Sequence, residues 1–372
     1  MFLIDIIVFL IVLGIVVFVH ELGHFIAAKT SGVKVEEFGL GFPPRLWKKT
    51  IGETQYFIGA IPFGGMTRIF GMDEMDEEKD KNSRGYESKN AWKKLWICGG
   101  GVVFNLLFAV IVFYGLIASS GFRSEQALIF SEYHFPFGNQ VNQVLIAQVA
   151  PGSPAEISGL KSSDTVIGVN GEIINGSKEF SSIINENKGQ KVILQLKDGR
   201  EVEITPRAEY PSTEGPLGVG LRDMAVLNYS SLPEKALVGF LHTYNITDYS
   251  VSAMGYIFSY AISHKSIDAI ASSMAGPVGI FAITKLTLEK GLYDMLNLIA
   301  ILSIALGVSN LLPIPAMDGA KLIYVGLESA NKKVFSKELQ IKIESIGAIF
   351  LILLAVAIIF KDFIQFKDII FK

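Results

Sequence analysis

His20-Glu21-Leu22-Gly23-His24 sets two imidazoles four residues apart with a carboxylate between them. On a helix, residues four apart share a face, so His20 and His24 can hold one cation with Glu21 beside it. Two histidines on a metal, and a carboxylate able to take a proton from a water on that metal, make a hydrolytic centre. The motif closes an apolar run, for Phe2 to Val19 is broken only by Asp5. Such a centre at the edge of a membrane helix points to hydrolysis of peptide bonds within or beside the bilayer.

A zinc site of this kind needs a third protein ligand and an open position for water. Among the other histidines, His134, His242 and His264 lie outside any segment of membrane depth. Asp318 lies inside one, in Asn310-Leu311-Leu312-Pro313-Ile314-Pro315-Ala316-Met317-Asp318-Gly319. A carboxylate in such a segment is costly unless paired or bound to metal, which makes it a functional candidate. Pro313 and Pro315 cannot continue a regular helix, so the backbone should open just before Asp318. Open backbone at that depth is tolerated only when it is buried in protein or lines a wet cavity.

Four apolar stretches must carry these groups: about Phe2 to Ala28, Leu95 to Ala118, Met295 to Leu327 and Ile343 to Phe360. Each is close to the ~20 residues that cross the hydrocarbon core. Half of the 372 residues are hydrophobic and only 19% are charged, below the ~25% of soluble domains. A formal net charge of -3 without a dense basic patch excludes a nucleic-acid binder. Cys98, the single cysteine, excludes an intrachain disulfide and a cysteine-based metal site. The apolar N-terminus lacks a basic leader and a small-x-small cleavage site, so it reads as a retained helix.

Lysines flank residues 29–94 (Lys29, Lys34, Lys89, Lys93, Lys94) and fill residues 328–342 (Lys332, Lys333, Lys337, Lys342). The positive-inside rule therefore predicts both segments to be cytoplasmic and both termini to be outside. Residues 127–208 read as short strands separated by turns, with hairpins at Asn170-Gly171 and Asp198-Gly199. Residues 234–264 interleave aromatic residues with Ser and Thr, which suits an interfacial helix better than a fifth span.

The pair HELGH and NLLPIPAMDG resembles the site-2 protease family of intramembrane zinc metalloproteases, nearest its bacterial regulator-of-sigma-E type. Phe38 to Leu46 (FGLGFPPRL) and Ile61 to Met66 (IPFGGM) add to the likeness. The resemblance implies Zn2+ held by His20, His24 and Asp318, with Glu21 as general base and proton donor. It implies that Asn310 holds substrate backbone and that Pro313 and Pro315 shape the break that delivers Asp318. Gly64 and Gly65 form either a tight turn or part of a membrane-reentrant β-structure that pairs with an unwound substrate. Residues Val149 to Leu160 and Asp164 to Gly171 resemble a bacterial PDZ domain, a fold that takes extended peptides beside a strand.

The expected fold is thus a multi-span α-helical membrane protein of about four transmembrane helices, with a reentrant β-hairpin and an inserted, mainly-β PDZ-like domain. Residues 1–126 form the first half of the membrane core, 127–208 the PDZ-like domain, 209–294 linker and interfacial helices, and 295–372 the second half. The expected activity is endoproteolysis of single-span membrane proteins, such as anti-sigma factors and remnant signal peptides, in a bacterial cytoplasmic (inner) membrane. Membrane lipids and a peptide ligand of the PDZ-like domain, which lies outside, complete the expected partners. The alternative is an inactive PDZ-bearing scaffold with a structural metal site, which would have no need of Glu21.

Overall fold

The computed structural model describes residues 2–72, 83–211, 214–266, 270, 274–330 and 336–370. The chain divides into two compact units, one of residues 1–116 with 246–372 and one of residues 117–245.

In the first unit the apolar stretches become helices. These are α1 (Phe2–Thr30), α2 (Ala91–Ser119), α7 (Leu292–Asn310) and α9 (Lys337–Ile370), and among the described residues these four are long and apolar enough to cross a membrane. The third expected stretch is not one helix: it stops at Asn310, opens through residues 311–317 and restarts as α8 (Asp318–Ser329). Val12 and Val16 of α1 pack on Met295 and Ile299 of α7, with Phe108 of α2 alongside. The apolar part of α9 is almost wholly uncovered by protein. Its exposed Ile346, Ile349, Phe350 and Leu353 suit a lipid-facing surface.

A long antiparallel hairpin, β1 (Val35–Ile51) with β2 (Thr54–Ile69), follows α1 and packs along it. Its tight turn is at Gly52 (φ +62°). Gly64 and Gly65 therefore do not make the turn; Gly65 lies inside β2, opposite Leu40. Lys29, at the end of α1, bonds Glu53 at the hairpin tip (2.8 Å), and Arg84 takes its other oxygen. The two cations hold the Glu53 carboxyl below the usual carboxylate range.

Gly276-Pro277-Val278-Gly279 is where α6 (Pro277–Leu288) begins. The amides of Gly276 and Gly279 both donate to Asp362 Oδ2 at 2.8 Å, so a buried carboxylate of α9 caps α6. A Cβ on Gly279 would stand 2.9 Å from that oxygen. At the other end of α6, Lys285 bonds the Ile369 carbonyl (3.0 Å) and lies 4.0 Å from Asp5, the lone charge in the first apolar run. Lys332 and Lys333, counted in the orientation argument, lie outside the described residues.

The second unit is a seven-stranded antiparallel sheet in the order β3-β9-β4-β5-β7-β8, with β6 on β5. The strands are β3 (Arg123–Ala127), β4 (Asn139–Val149), β5 (Thr165–Val169), β6 (Glu172–Ile173), β7 (Val192–Leu196), β8 (Glu201–Ile204) and β9 (Val219–Asn228). Short α3 (Pro154–Ile157) and α4 (Ser177–Glu186) close a core that includes Ile146, Val166, Phe180, Leu194 and Leu217. Asn170 and Gly171 both have positive φ, the two-residue turn their pair predicts. The sheet outgrows the expected 127–208 boundary, because β9 arrives after residue 208 and inserts between β3 and β4. Part of the expected 209–294 linker is thus the interior of the sheet.

α5 (Leu232–His264) runs for 33 residues. Its first turns are tied to the sheet by a buried polar chain. Asn245 donates to the Tyr229 hydroxyl (3.1 Å), Tyr229 to His242 Nδ1 (2.9 Å), and His242 Nε2 faces Ser124 Oγ (3.4 Å). Burial holds His242 neutral, its pKa lowered to about 3.

Candidate active site

His20 and His24 sit in the last third of α1, on the face that meets α2. That meeting is backbone against backbone. A Cβ on Gly23 would fall 2.2 Å from the Gly100 carbonyl oxygen, and one on Gly100 would fall 2.7 Å from that of Gly23. One residue on, a Cβ on Gly101 would stand 2.5 Å from both His20 Cε1 and His24 Nε2. Glycines in α2 let the two helices close until the imidazoles lie on bare backbone.

Asp318 arrives from the break. Ala316 takes φ +71° and Met317 is extended, so α8 begins with Asp318 turned inward. Gly319 lies against the Leu311 and Leu312 carbonyls, 2.5 and 2.3 Å from its would-be Cβ. Pro315 packs on Gly347 of α9, where a Cβ would sit 2.3 Å from the proline ring. His20 Nε2, His24 Nε2 and Asp318 Oδ2 then form a triangle with sides of 3.3, 3.2 and 3.1 Å. A tetrahedral zinc with bonds of ~2.0–2.1 Å sets its ligand atoms about 3.3 Å apart. All three residues are buried or nearly so, and among the described residues they are the group able to hold a metal.

The next layer orients them. His24 Nδ1 donates to the Ile97 carbonyl (2.8 Å), which leaves Nε2 with its lone pair for a metal. His20 Nδ1 lies 3.3 Å from the amide of Asn105, a fully buried residue of α2 whose Oδ1 has no hydrogen-bond partner. The amide turned about presents Oδ1 to Nδ1–H, giving His20 the same tautomer as His24. Ser303 of α7 bonds the Asn105 carbonyl (3.0 Å) and joins the third helix to this layer. The residues present fit a zinc ion.

Glu21 points towards the hairpin. Its carboxylate Oε2 accepts from the Thr67 hydroxyl of β2 at 2.6 Å. Gly65, two residues earlier on the same face, has its would-be Cβ 2.5 Å from Glu21 Cγ and 3.0 Å from Val17. Gly64, at φ +87°, lies against the Phe42 ring. Asn310 ends α7 with its amide donating to Leu306 of its own helix (2.9 Å).

Sequence reasoning passed over Gly101, Asn105 and Thr67. Two of them left a signal. The run Gly99-Gly100-Gly101 costs helix propensity inside an apolar segment, which is a cue for close packing. Asn105 is a lone amide at membrane depth, one turn from Gly101. Thr67 left none, since a threonine in a strand is ordinary.

The sequence profile described as peptidase family M50 matches residues 8–354. A Clostridium perfringens protein provisionally named a zinc metalloprotease is 29% identical, over 94% of this chain and 95% of its own. A Helicobacter pylori protein of the same provisional name is 29% identical over 96% and 98%. The zinc metalloprotease RasP of Oceanobacillus iheyensis is 25% identical over 96% and 98%. With the profile covering nearly the whole length, and two histidines of a membrane-length helix meeting Asp318 at the start of α8, this chain belongs to peptidase family M50.

Proposed function

We propose that this protein is an intramembrane zinc endopeptidase of the cytoplasmic membrane that cleaves single-span membrane proteins, among them anti-sigma factors and remnant signal peptides. The observation that carries this is the His20, His24 and Asp318 triangle, with Glu21 one residue from a ligand, set between a helix able to span a bilayer and the start of α8. Zinc, when bound, polarises the scissile carbonyl and brings the pKa of water towards ~7. Glu21 takes the proton on its carboxylate and passes it to the leaving amide nitrogen. Burial of the three ligands limits water at the site and strengthens each charge contact there.

A helix is a poor substrate because its carbonyls are engaged, so the cleaved segment must unwind. β2 offers an edge for it, with Gly64 and Gly65 admitting a close backbone approach. Asn310, released from Leu306, has an amide to offer the substrate backbone. Pro313 and Pro315 keep the chain open ahead of Asp318. Outside the membrane, the seven-stranded unit acts as a PDZ-like screen. Among the described residues β3 pairs with Met224 to Asn228 on the outer edge of β9, and Leu128 continues to Asp223, so the edge from Val219 to Arg222 is the one offered to a peptide. Both termini lie outside, and residues 29–94 and 328–342 are cytoplasmic.

The test is cleavage of a tagged single-span substrate, pre-shortened outside the membrane, by purified wild type and by Glu21→Gln. The expected result is a product with wild type alone, at equal zinc content. Equal inactivity over several shortened substrates would leave the scaffold reading standing. Equal cleavage would remove Glu21 from the chemistry.

A further inference from the structure

We propose that Thr67 is a positioning residue for the general base: its hydroxyl holds one oxygen of Glu21 so that the other meets the proton. The proposal rests on the catalytic reading of Glu21 and adds a residue to it.

Glutamate has three side-chain torsions, and a base one residue from a metal ligand works only if its carboxylate is aimed. Nothing on α1 itself aims it. The aim comes from β2. The Thr67 Oγ1 to Glu21 Oε2 distance is 2.6 Å, that of a charge-assisted bond, and the carboxylate can only accept, so the hydroxyl donates. The same Oγ1 lies 3.1 Å from the Glu21 carbonyl oxygen, which places the hydroxyl over both ends of the residue. Threonine is branched at Cβ, so few χ1 values are open to it on a strand. Thr67 pairs with Phe38 across the hairpin, which fixes its register.

Two residues before it, Gly65 faces the same way. The Glu21 stem lies against its bare backbone, with Val17 beside it. Gly65 makes room for the stem and Thr67 holds the head. With Oε2 engaged, Oε1 is the oxygen that accepts the proton and returns it. The tether also lies on the strand offered to the substrate, so pairing at Gly64 and Gly65 and orientation of the base depend on one element.

Thr67→Val keeps the shape and removes the hydroxyl, while Thr67→Ser keeps the hydroxyl and removes the methyl. Steady-state cleavage by the zinc-loaded, full-length chain should show kcat down roughly 10- to 100-fold in Thr67→Val, with KM and zinc content unchanged. Thr67→Ser should recover most of the rate. In the metal-free chain, a thermal double-mutant cycle of Thr67→Val with Glu21→Ala should be non-additive, because the two side chains are direct partners.

Wild-type kcat in Thr67→Val would overturn the proposal. So would a Thr67→Ser variant as slow as Thr67→Val, since the methyl and packing would then be responsible. Additive thermal shifts would show that the contact is not made. If Glu21→Gln cleaves as well as wild type, the catalytic reading itself fails, and Thr67 loses its role with it.

Discussion

Gly101→Ala adds one methyl where the structure has room for none. Its carbon would lie 2.5 Å from His20 Cε1 and from His24 Nε2, whereas carbon contacts settle at ~3.5–4.0 Å. About 1 Å must be found, and neither side yields cheaply. The imidazoles are held from behind by Asn105 and the Ile97 carbonyl, and α2 cannot retreat without opening its contact at Gly23. Overpacking of this kind costs about 1–3 kcal/mol. The site suffers more than the fold, because metal–ligand distances tolerate only ~0.2 Å. Zinc affinity should fall by more than the ~10- to 100-fold that loss of an outer-layer partner brings. Gly99→Ala is the control, for its nearest new neighbour is Leu322 at 4.0 Å. The assay is zinc content per chain after dialysis against a graded chelator, with helix content by circular dichroism. Gly101→Ala should be helical and zinc-poor, and Gly99→Ala helical and zinc-replete. A Gly101→Ala protein that keeps one zinc and full cleavage would refute the close approach of α2 to His20 and His24.

Asn105→Leu should lower zinc affinity about 10- to 100-fold without unfolding the chain, read by competition with a zinc chelator. Unchanged affinity would mean that His20 needs no partner at Nδ1. His242 is neutral when folded, with a pKa of about 3, while the unfolded chain titrates near ~6.5. Its folded pKa is depressed, so the unfolded form binds the extra proton as pH falls below ~6.5, and stability falls with it. The loss is about 2 kcal/mol between pH 8 and pH 5. Hydrogen exchange of β9 amides, corrected for intrinsic rates, should quicken about 30-fold over that range and stay flat in His242→Gln. Cys98 is buried and bonded to Tyr86 (3.2 Å), so it should resist thiol reagents in the folded chain. A cysteine placed at Ser162 should then react with an impermeant maleimide from outside, and one at Ser336 only after the membrane is opened. The reverse pattern would invert the assigned orientation.

The cluster of His20, His24 and Asp318 was legible because its chemistry is local or is forced by the solvent. HELGH carries its geometry in its spacing, and a carboxylate just after two prolines in an apolar segment has few other uses. The helices were legible wherever a run was apolar throughout. What escaped depends on partners distant in sequence. Asn105 matters because α1 brings His20 to it, and Thr67 because the hairpin folds back along α1. β9 escaped the expected domain because sheet order is not chain order, and a strand arriving after residue 208 can still enter the middle. Gly276 and Gly279 carried no meaning until Asp362 was seen between their amides, more than 80 residues away.

That cap has a consequence for how the protein is made. The amides at the start of α6 leave the ribosome long before Asp362, more than 80 residues on, does. Until α9 is in place, α6 lacks the carboxylate that caps its first turn. Completion of α9 and closure of the earlier α6 are therefore a single event. A chain ended before Asp362 retains His20, His24 and Asp318 yet leaves that end unsealed.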